Sequence, residues 1–381
     1  MKPYIILSLM FLVGNATAQD LPYARKIITA LTSDVFWGRG YTNGGMGKAA
    51  DFIANEFKTY GLEPMNGKSY KQSFSLPVNT FPGKMELVVD GKSLSPGRDF
   101  IVLPASSGNH ASGKVDRKDS VTFINQDQRL ILILKDKLTW SVSPLQENYT
   151  GVEVLKSALP GKPENIMLNI QNAFIKDFEA ANVCAIIRGT KHPDSVVLFS
   201  AHYDHLGGMG SETYFPGAND NASGIALLLS LARHYVKNPQ PYSIAFICFA
   251  AEEAGLVGSK FYTEQPLFPL ANIRFLINLD MVGTGDAGIT VVNATEHPRE
   301  FSLLRQVNDQ KKYLGKINQR GKAANSDHHF FSEKGVPAFF IYTQGGISAY
   351  HDVNDVAKTL PLTEFQDLFG LLRDWLVTAM F

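Results

Sequence analysis

The chain has few cysteines, no excess of charge of either sign and no internal repeat. Its 381 residues include two cysteines, Cys184 and Cys248, which is too few for a disulfide framework. Both lie in apolar runs, where buried free thiols are expected, although a bridge stays open if their strands are neighbours. The 36 basic and 36 acidic side chains cancel, which argues against nucleic acid or an anionic membrane surface as a partner.

The hydrophobic run near the amino terminus is too short to span a membrane comfortably. It covers residues 4–14, follows Lys2 and leads into the small residues Ala16-Thr-Ala18. This pattern predicts a removable signal peptide over residues 1–18. We therefore expect an exported protein, periplasmic or extracellular, that has no membrane attachment after cleavage. The alternative, an uncleaved membrane anchor, would need a longer run.

Four short apolar runs each lead into a side chain that is able to bind a metal ion. They are residues 195–201 ahead of His202, 242–250 ahead of Glu252 and Glu253, 274–279 ahead of Asp280, and 336–342 ahead of Tyr350 and His351. Such runs, separated by helical stretches, predict a mostly parallel sheet covered on both faces by helices. Ligands gather beyond the carboxyl ends of the strands in such sheets. The topology therefore predicts that these side chains converge.

Asp220 is presented by a turn rather than by a strand. It lies in a Gly- and Asn-rich stretch just ahead of Ile225, Leu228 and Leu229, whose spacing predicts an amphipathic helix. The free backbone N–H groups of a helix start favour a carboxylate there, so Asp220 taken alone is equally well explained as a helix cap. In chain order, however, it completes a set of two histidines and three carboxylates: His202, Asp220, Glu253, Asp280 and His351. That set indicates a two-metal hydrolytic site.

At these residues the chain resembles the zinc peptidases of family M28, the aminopeptidase type with a co-catalytic zinc pair. The matching words are His202-Tyr-Asp-His-Leu-Gly207, Gly217-Ala-Asn-Asp-Asn-Ala-Ser-Gly224, Ala251-Glu-Glu-Ala-Gly-Leu-Val-Gly-Ser259, Asn278-Leu-Asp-Met-Val-Gly283, Ser326-Asp-His328 with Gly335-Val-Pro-Ala338, and Tyr350-His351 with Asp355; upstream, Gly38-Arg-Gly40, Ala49-Ala-Asp-Phe-Ile53 and Gly61-Leu-Glu-Pro64 also match. The resemblance covers about residues 24–74 and 182–355.

The resemblance implies a three-layer α/β/α fold with a central, mostly parallel mixed sheet of the zinc-peptidase (phosphorylase/hydrolase-like) type. It also implies two Zn²⁺ ions per chain. His202 and Asp280 would hold one ion, Glu253 and His351 the other, and Asp220 would bridge them. Asp204 would orient the ring of His202 through its second nitrogen. Related enzymes further imply a cis peptide bond between Asp220 and Asn221.

By the same resemblance, the reaction is the removal of N-terminal residues from peptides. Glu252 would be the general base that takes a proton from a metal-bridged water and returns it to the leaving amine. The hydroxyl of Tyr350 would help to stabilise the tetrahedral intermediate. Among the other histidines, His205, His328 and His329 lie near the motif words, where they either line the cleft and contact ligands or have no direct role.

The domain organisation predicted from the sequence is a peptidase domain of residues 19–80 and 182–381, interrupted by a small, mostly β insert of residues 81–181. Hydrophobic segments around Asp90-Gly91 indicate a hairpin in this insert. Many larger relatives carry a protease-associated domain at this place. The insert is too short and too unlike that pattern to be assigned to it.

Three other functions stay open at this point. A glutaminyl cyclase has a similar scaffold but a single zinc ion, and the chain keeps all five ligands instead. A carboxypeptidase-type exopeptidase of the same family is a further alternative, because the direction of cleavage depends on cleft residues that the sequence does not identify. A non-catalytic binding protein is disfavoured, because the base and every ligand are retained.

Overall fold

The computed structural model describes residues 21–380, so the predicted signal peptide of residues 1–18 lies outside the described part of the chain. Within residues 21–380, none of the helices combines the length and the apolar character that crossing a bilayer requires.

The described residues form seven α-helices and twenty strands, with a few short 3₁₀ and π-helical turns between them. The helices are α1 Leu21–Leu31, α2 Gly45–Tyr60, α3 Gly224–Lys237, α4 Val257–Glu264, α5 Pro298–Lys311, α6 His328–Glu333 and α7 Phe365–Met380. The strands are β1 Glu63–Pro64, β2 Lys71–Thr80, β3 Met85–Val89, β4 Lys92–Leu94, β5 Phe100–Val102, β6 Asn109–Lys114, β7 Asp116–Arg117, β8 Thr122–Asn125, β9 Leu130–Lys135, β10 Thr150–Leu155, β11 Asn165–Ile170, β12 Ala173–Ile187, β13 His192–His202, β14 Gly207–Met209, β15 Thr213–Phe215, β16 Tyr242–Phe249, β17 Ile273–Leu279, β18 Ile289–Val292, β19 Ile317–Gln319 and β20 Ala338–Thr343.

The central sheet is mixed, with a parallel middle. Its strand order is β1-β12-β16-β13-β17-β20-β18-β19, and β2 pairs with β12 at the edge. The four strands β16, β13, β17 and β20 run parallel to one another, whereas β12 and β18 are antiparallel to their neighbours in this group. The parallel middle contains all four apolar runs that the sequence singled out, so their carboxyl ends lie along one edge of the sheet.

Helices cover both faces of this sheet, as the near-continuous apolar runs require. On one face α1, α2, α3, α5 and α7 pack with alternate strand residues such as Val197 and Phe199. On the other face α4 and α6 contribute Tyr262 and Phe331, which pack with Leu198 and its neighbours. The fold is therefore the predicted three-layer α/β/α arrangement around a mostly parallel mixed sheet.

Most of the predicted insert forms two small sheets with a core of their own. One has the order β5-β10-β9-β8-β7 and the other β4-β3-β11-β6, and both lie within residues 85–170. Their apolar core also takes in Leu206, Met209 and Phe215 from the chain between His202 and Asp220. Strand β12 begins before residue 181 and continues through the central sheet, so it crosses the predicted boundary. The division into an insert of 81–181 and a peptidase domain stays a prediction.

The two cysteines are free thiols. They lie on adjacent strands, but Cys248 pairs in register with Val183 and not with Cys184. A shift of one residue turns a side chain to the other face of a sheet, and the two thiols accordingly belong to the cores on opposite faces. The bridge that the sequence left open is thus not formed, and burial raises the pKa of both thiols.

Candidate metal centre

The five candidate ligands converge at the carboxyl edge of the parallel strands. His202 is the last residue of β13, Asp280 follows β17 directly, and Glu253 comes a few residues after β16. His351 is reached through the loop after β20. This convergence follows from the parallel topology, because each of these strands delivers its carboxyl end to the same edge.

The side chains form two clusters that share Asp220. The Nε2 atom of His202 lies 3.3 Å from Oδ1 of Asp280 and 3.4 Å from Oδ1 of Asp220. The Nε2 atom of His351 lies 3.1 Å from the other oxygen of Asp220, Oδ2, and 3.2 Å from Oε2 of Glu253. Ligand atoms about 2.0–2.1 Å from a tetrahedral zinc ion stand roughly 3.3 Å apart. The nitrogen and oxygen donors present here therefore fit zinc, and the two oxygens of Asp220 face different histidines, His202 and His351.

Hydrogen bonds to Asp355 and to the end of β17 fix the turn that carries Asp220. The backbone N–H groups of Asn219 and Asp220 donate to the buried carboxylate of Asp355 over 2.8–3.0 Å. The side chain of Asn221 donates to the carbonyl of Leu279, at the end of β17, over 3.0 Å. The peptide bond between Asp220 and Asn221 is cis, which confirms the expectation from the resemblance. These contacts tie the turn to the strand that delivers Asp280.

The adjacent residues Glu252 and Glu253 have opposite electrostatic environments. Burial raises the pKa of Glu252 well above its ordinary value, and the nearby charge of Glu253 adds to the effect, while His202 opposes it. Burial would also raise the pKa of Glu253, but His351 and a hydrogen bond from His205 outweigh it and lower that pKa well below its ordinary value. One carboxyl group therefore retains a proton readily, whereas the other stays ionised.

Asp204 lies between His202 and the two adjacent glutamates, and its role in orienting His202 stays a prediction. The Nδ1 atom of His202 lies 3.2 Å from the backbone carbonyl oxygen of Asp204 and 3.7 Å from its carboxylate. The nearer acceptor is thus the main chain, which the turn after β13 brings back towards the ring. The carboxylate instead accepts hydrogen bonds from the backbone N–H groups of Glu252 and Glu253, at 3.1 and 3.3 Å. Asp204 therefore fixes the position of the two glutamates.

His205 is a member of the site for which the sequence left two roles open. Its ring is fully buried, and its Nδ1 atom lies 2.7 Å from Oε1 of Glu253. The other carboxylate oxygen of Glu253 faces His351, so His205 fixes the carboxylate in the orientation that the cluster needs. The His202-x-x-His205 spacing at a strand end was the available signal. The neighbouring His328 is also buried but lies outside both clusters, and burial lowers its pKa to about 4.

A series of hydrogen bonds between buried side chains fixes the carboxylate of Asp280. The hydroxyl of Ser200 donates to Asn278, whose amide donates to Ser326 over 2.8 Å. The hydroxyl of Ser326 then donates to Oδ2 of Asp280 over 3.1 Å. Because these hydrogen bonds engage Oδ2, the other oxygen of Asp280, Oδ1, is left facing His202 at the candidate metal position.

A cavity of about 390 Å³ opens above the two clusters. Its wall consists of His202, Asp220, Glu252, Glu253, Asp280, Met281, Asn325, Phe340, Tyr342, Thr343, Tyr350 and His351. The ring of Tyr350 stacks on that of His351, with 4.0 Å between the ring centroids. Burial and the nearby carboxylates raise the pKa of the Tyr350 hydroxyl, which therefore stays protonated and able to donate a hydrogen bond.

Arg39 is a fully buried cation beneath the site. Within the described residues, its guanidinium donates to no carboxylate. It donates instead to five backbone carbonyl oxygens at 2.6–3.3 Å, those of Leu31, Tyr203, Pro216, Gly217 and Asp220. Burial lowers its pKa to about 10, with Asp220 and Asp355 opposing the change, so it is charged at neutral pH. It joins the backbone beside His202 to that of the Asp220 turn.

The family model of peptidase family M28 matches residues 182–376. This range covers more than half of the chain and contains all five candidate ligands. The chain belongs to peptidase family M28.

Two curated relatives show how far the likeness of this M28 chain extends. It is 42% identical to aminopeptidase YwaD of Bacillus subtilis over 161 residues, which are 41% of this chain and 33% of that protein. It is 39% identical to a probable zinc metalloprotease of Pyricularia oryzae over 112 residues, 28% of this chain and 22% of that protein. The chain thus spans about a third or less of the length of these relatives.

Solved structures share the fold over nearly the whole M28 chain. A zinc aminopeptidase from Bacillus subtilis has a TM-score of 0.71 at 19% identity, covering 94% of this chain and 95% of its own. A peptidase M28 precursor from Shewanella amazonensis has a TM-score of 0.69 at 16% identity, covering 94% and 93%. Because 94% coverage of 381 residues leaves only about 23 residues uncovered, the likeness includes most of residues 81–181 and extends to the fold of the insert.

Replacing Arg39 by methionine should strongly destabilise the protein. The substitution removes the Arg39 donor from five carbonyl groups, four of which are beside the candidate metal centre. Because loss of a buried, charge-assisted network costs about 3–5 kcal/mol, we expect a decrease of that size in the free energy of unfolding, measured by denaturant titration. The exposed Arg98 is the matched control, and Arg98→Met should change stability by less than about 0.5 kcal/mol. Equal stability of Arg39→Met and wild type would contradict this role.

The buried carboxyl of Asp327 should make stability depend on pH. Burial raises its pKa to about 7, against an ordinary value of 3.8, and the negative charges of Asp204 and Asp280 act in the same direction while His202 opposes it. The folded state therefore binds this proton more tightly than the unfolded state, so its contribution is present near pH 4 and is lost as pH rises to about 7.

In metal-free protein, Asp327→Asn should remove this dependence. The free energy of unfolding of the variant relative to wild type should therefore increase between pH 4 and 7, by roughly a few kcal/mol. The exposed Asp194 provides the control variant Asp194→Asn. A constant difference between Asp327→Asn and wild type across this range would show that the folded and unfolded states bind this proton equally, so that the pKa of Asp327 is not raised.

Proposed function

We propose that this M28 chain is a zinc-dependent aminopeptidase that binds two Zn²⁺ ions and hydrolyses the N-terminal residues of peptides. The observation that carries the proposal is the position of Asp220, whose two oxygens face two separate histidine–carboxylate pairs. His202 and Asp280 form one pair, and His351 and Glu253 form the other. A single-zinc acyltransferase would not need a shared carboxylate. The names of the relatives, among them a zinc aminopeptidase with the same fold, agree with this proposal.

The metal-free site favours cations strongly. Burial opposes protonation of His351, but Glu253 and Asp220 outweigh it and raise its pKa to about 11. The pKa of His202 is raised in the same way, because Asp280 and other carboxylates outweigh the effect of burial. When bound, a pair of zinc ions would acidify the attacking water and polarise the scissile carbonyl group.

Glu252 is proposed as the general base. It lines the cavity, takes part in neither histidine contact of the two clusters, and has a raised pKa, as a base that works near neutral pH requires. Its carboxylate would accept the proton of the attacking water and deliver it to the leaving amine. The hydroxyl of Tyr350 would donate a hydrogen bond to the oxygen of the tetrahedral intermediate. Asp204 would act indirectly, by holding the backbone of Glu252 and Glu253.

The cavity also suggests which peptides are cleaved. Apart from the ligands and Glu252, its lining has no charged side chain among the described residues, and Met281, Phe340 and Tyr342 provide an apolar wall. A side chain with an unpaired charge would lose its hydration against this wall. We therefore propose neutral, apolar N-terminal residues as the preferred substrates. Export to the periplasm or the extracellular space remains a proposal from the pattern of residues 1–18.

The Glu252→Gln variant should keep its fold and its metal but lose activity. Because glutamine cannot accept the proton, we expect kcat on an aminoacyl anilide to fall by about 10²–10⁴. Metal content measured by atomic absorption should equal that of wild type, and the exposed-site control Glu264→Gln should match wild type in both respects.

Two results would contradict the assignment of Glu252. Unchanged turnover would exclude it as the base. Loss of metal would make it a ligand, which its position permits, since one donor atom each of His202, Glu252 and Asp280 lies within 4.8 Å of the others.

A peptide panel should show an aminopeptidase with apolar preference. Leu-, Met- and Phe-peptides should be cleaved with a kcat/KM at least about tenfold higher than Asp-peptides. N-acetylated peptides should resist cleavage, and a chelator should abolish all activity until Zn²⁺ is restored. Release of the C-terminal residue from the N-acetylated set would instead indicate a carboxypeptidase. Cyclisation of N-terminal glutamine without hydrolysis, with one tightly bound zinc per chain, would indicate a glutaminyl cyclase.

A further inference from the structure

A loop of the insert reaches the metal centre and holds one of the candidate ligands. This loop, residues 136–149, joins β9 to β10. The backbone N–H of Trp140 donates to the carbonyl oxygen of His351 over 2.9 Å. The Nδ1 atom of His351 lies 2.9 Å from the carbonyl oxygen of Trp140. The main chain of one insert residue thus binds both the backbone and the ring of His351; we call this pair of contacts the Trp140 clamp.

The clamp fixes two properties of His351 that a metal ligand needs. With Nδ1–H donating to the carbonyl of Trp140, the lone pair of Nε2 is left directed to Asp220 and Glu253. The backbone of His351 has a φ of 52°, which is unfavourable for a residue with a side chain by about 1 kcal/mol. A hydrogen bond to its carbonyl group from a fixed neighbour stabilises that conformation.

Trp140 is itself fixed by the core of the insert. Its indole N–H donates to the carbonyl of Val102 in β5 over 2.9 Å. Its ring stacks on Phe215 with 4.6 Å between the centroids, and the residue is almost fully buried. Next to the clamp, Lys137 donates to the carbonyl of Ser348 over 3.0 Å. The clamp is thus attached to packed β structure and not to a free loop.

Within residues 21–380, no hydrogen bond of this kind joins the insert to His202 or Asp280. The ring of His202 is oriented by the carbonyl of Asp204, two residues further along its own chain. Asp280 is supported by Ser326 from the peptidase core. Among the described residues, the insert therefore hydrogen-bonds to a histidine ligand candidate in only one of the two histidine–carboxylate pairs, although its core also packs with Leu206, Met209 and Phe215 between His202 and Asp220.

From this asymmetry we propose that Trp140 is a positioning residue through which the insert sets the metal affinity of the Glu253–His351 half of the site. This inference rests on the proposed two-zinc function and extends it to the insert. The His202–Asp280 half is independent of the clamp.

The test compares two truncations in the same core. Trp140→Ala removes the ring that fixes the clamp, whereas Leu132→Ala creates a cavity in β9, in the same apolar cluster. Zn²⁺ titration with chelator competition measures the affinity of each ion in the full chain, and circular dichroism checks that both variants are folded. In Trp140→Ala one of the two ions should bind about 10–100-fold more weakly, as is typical when the partner of a ligand histidine is lost. The other ion should bind as tightly as in wild type. Trp140→Phe, which keeps a stacking ring but lacks the indole N–H, should fall between.

Three outcomes would overturn the clamp. They are wild-type affinity for both ions in Trp140→Ala, equal weakening of both ions in that variant, and the same selective weakening in Leu132→Ala. The last two would show a general effect of destabilising the insert.

A measurement without metal separates this inference from the proposed function. In wild-type protein freed of metal, the Nδ1 proton of His351 should give an exchange-protected NMR signal, assigned by its absence in His351→Gln. Trp140→Ala should lose the protection and Leu132→Ala should keep it, and retention in Trp140→Ala would overturn the clamp. Fewer than two zinc ions on the wild-type chain would contradict the proposed function, while this signal would still test the clamp.

Discussion

The concentration of negative charge at one edge of the sheet is the constraint on which the rest of the site depends. Seven carboxyl groups lie there within a largely buried volume: Asp204, Asp220, Glu252, Glu253, Asp280, Asp327 and Asp355. Unpaired buried charges are strongly unfavourable. This negative charge is partly offset by hydrogen bonds from backbone N–H groups, by the buried guanidinium of Arg39, and by the protonated rings of His202 and His351. Under the proposed two-zinc function, two divalent cations would supply the remaining positive charge, which would account for the arrangement of the donors in two clusters.

The geometry of the site is well defined because the candidate ligands are each held at a second point. Strand ends bring the side chains near one another, but a strand end alone does not fix the direction of a carboxylate. Ser326 binds the oxygen of Asp280 that does not face His202, and His205 binds the oxygen of Glu253 that does not face His351. The carboxylate of Asp355 accepts a hydrogen bond from the backbone N–H of Asp220. Arg39 then joins the chain after β13 to the Asp220 turn through carbonyl groups alone. Such supports leave little freedom for the donors, as a site with preorganised ligands requires.

The sequence predicted what local pattern and chain order encode, and missed what depends on distant contacts. Apolar runs ending in polar residues located the strands, and the order of the motif words predicted that His202, Asp220, Glu253, Asp280 and His351 meet. The motif predicted that the carboxylate of Asp204 orients His202, and this stays a prediction: the Nδ1 atom of His202 lies 3.7 Å from that carboxylate and 3.2 Å from the carbonyl oxygen of Asp204, and a motif does not distinguish the two acceptors. The main chain of Trp140 contacts both the ring and the backbone of His351, a residue 211 positions away, and the identity of a side chain at position 140 does not reveal a contact made by its backbone atoms.

The raised pKa values of the two candidate ligand histidines would connect metal binding to pH. Because the carboxylates hold protons on His202 and His351 in the metal-free site, a cation must displace those protons to reach the same nitrogen atoms. The negative charge that attracts zinc therefore also strengthens the binding of protons, which compete with zinc for these nitrogen atoms. The hydrogen bonds at the Nδ1 atoms reduce this competition little, since an imidazolium ion donates there as well. What they determine is direction: once Nε2 loses its proton, its lone pair already faces the carboxylates that complete the site.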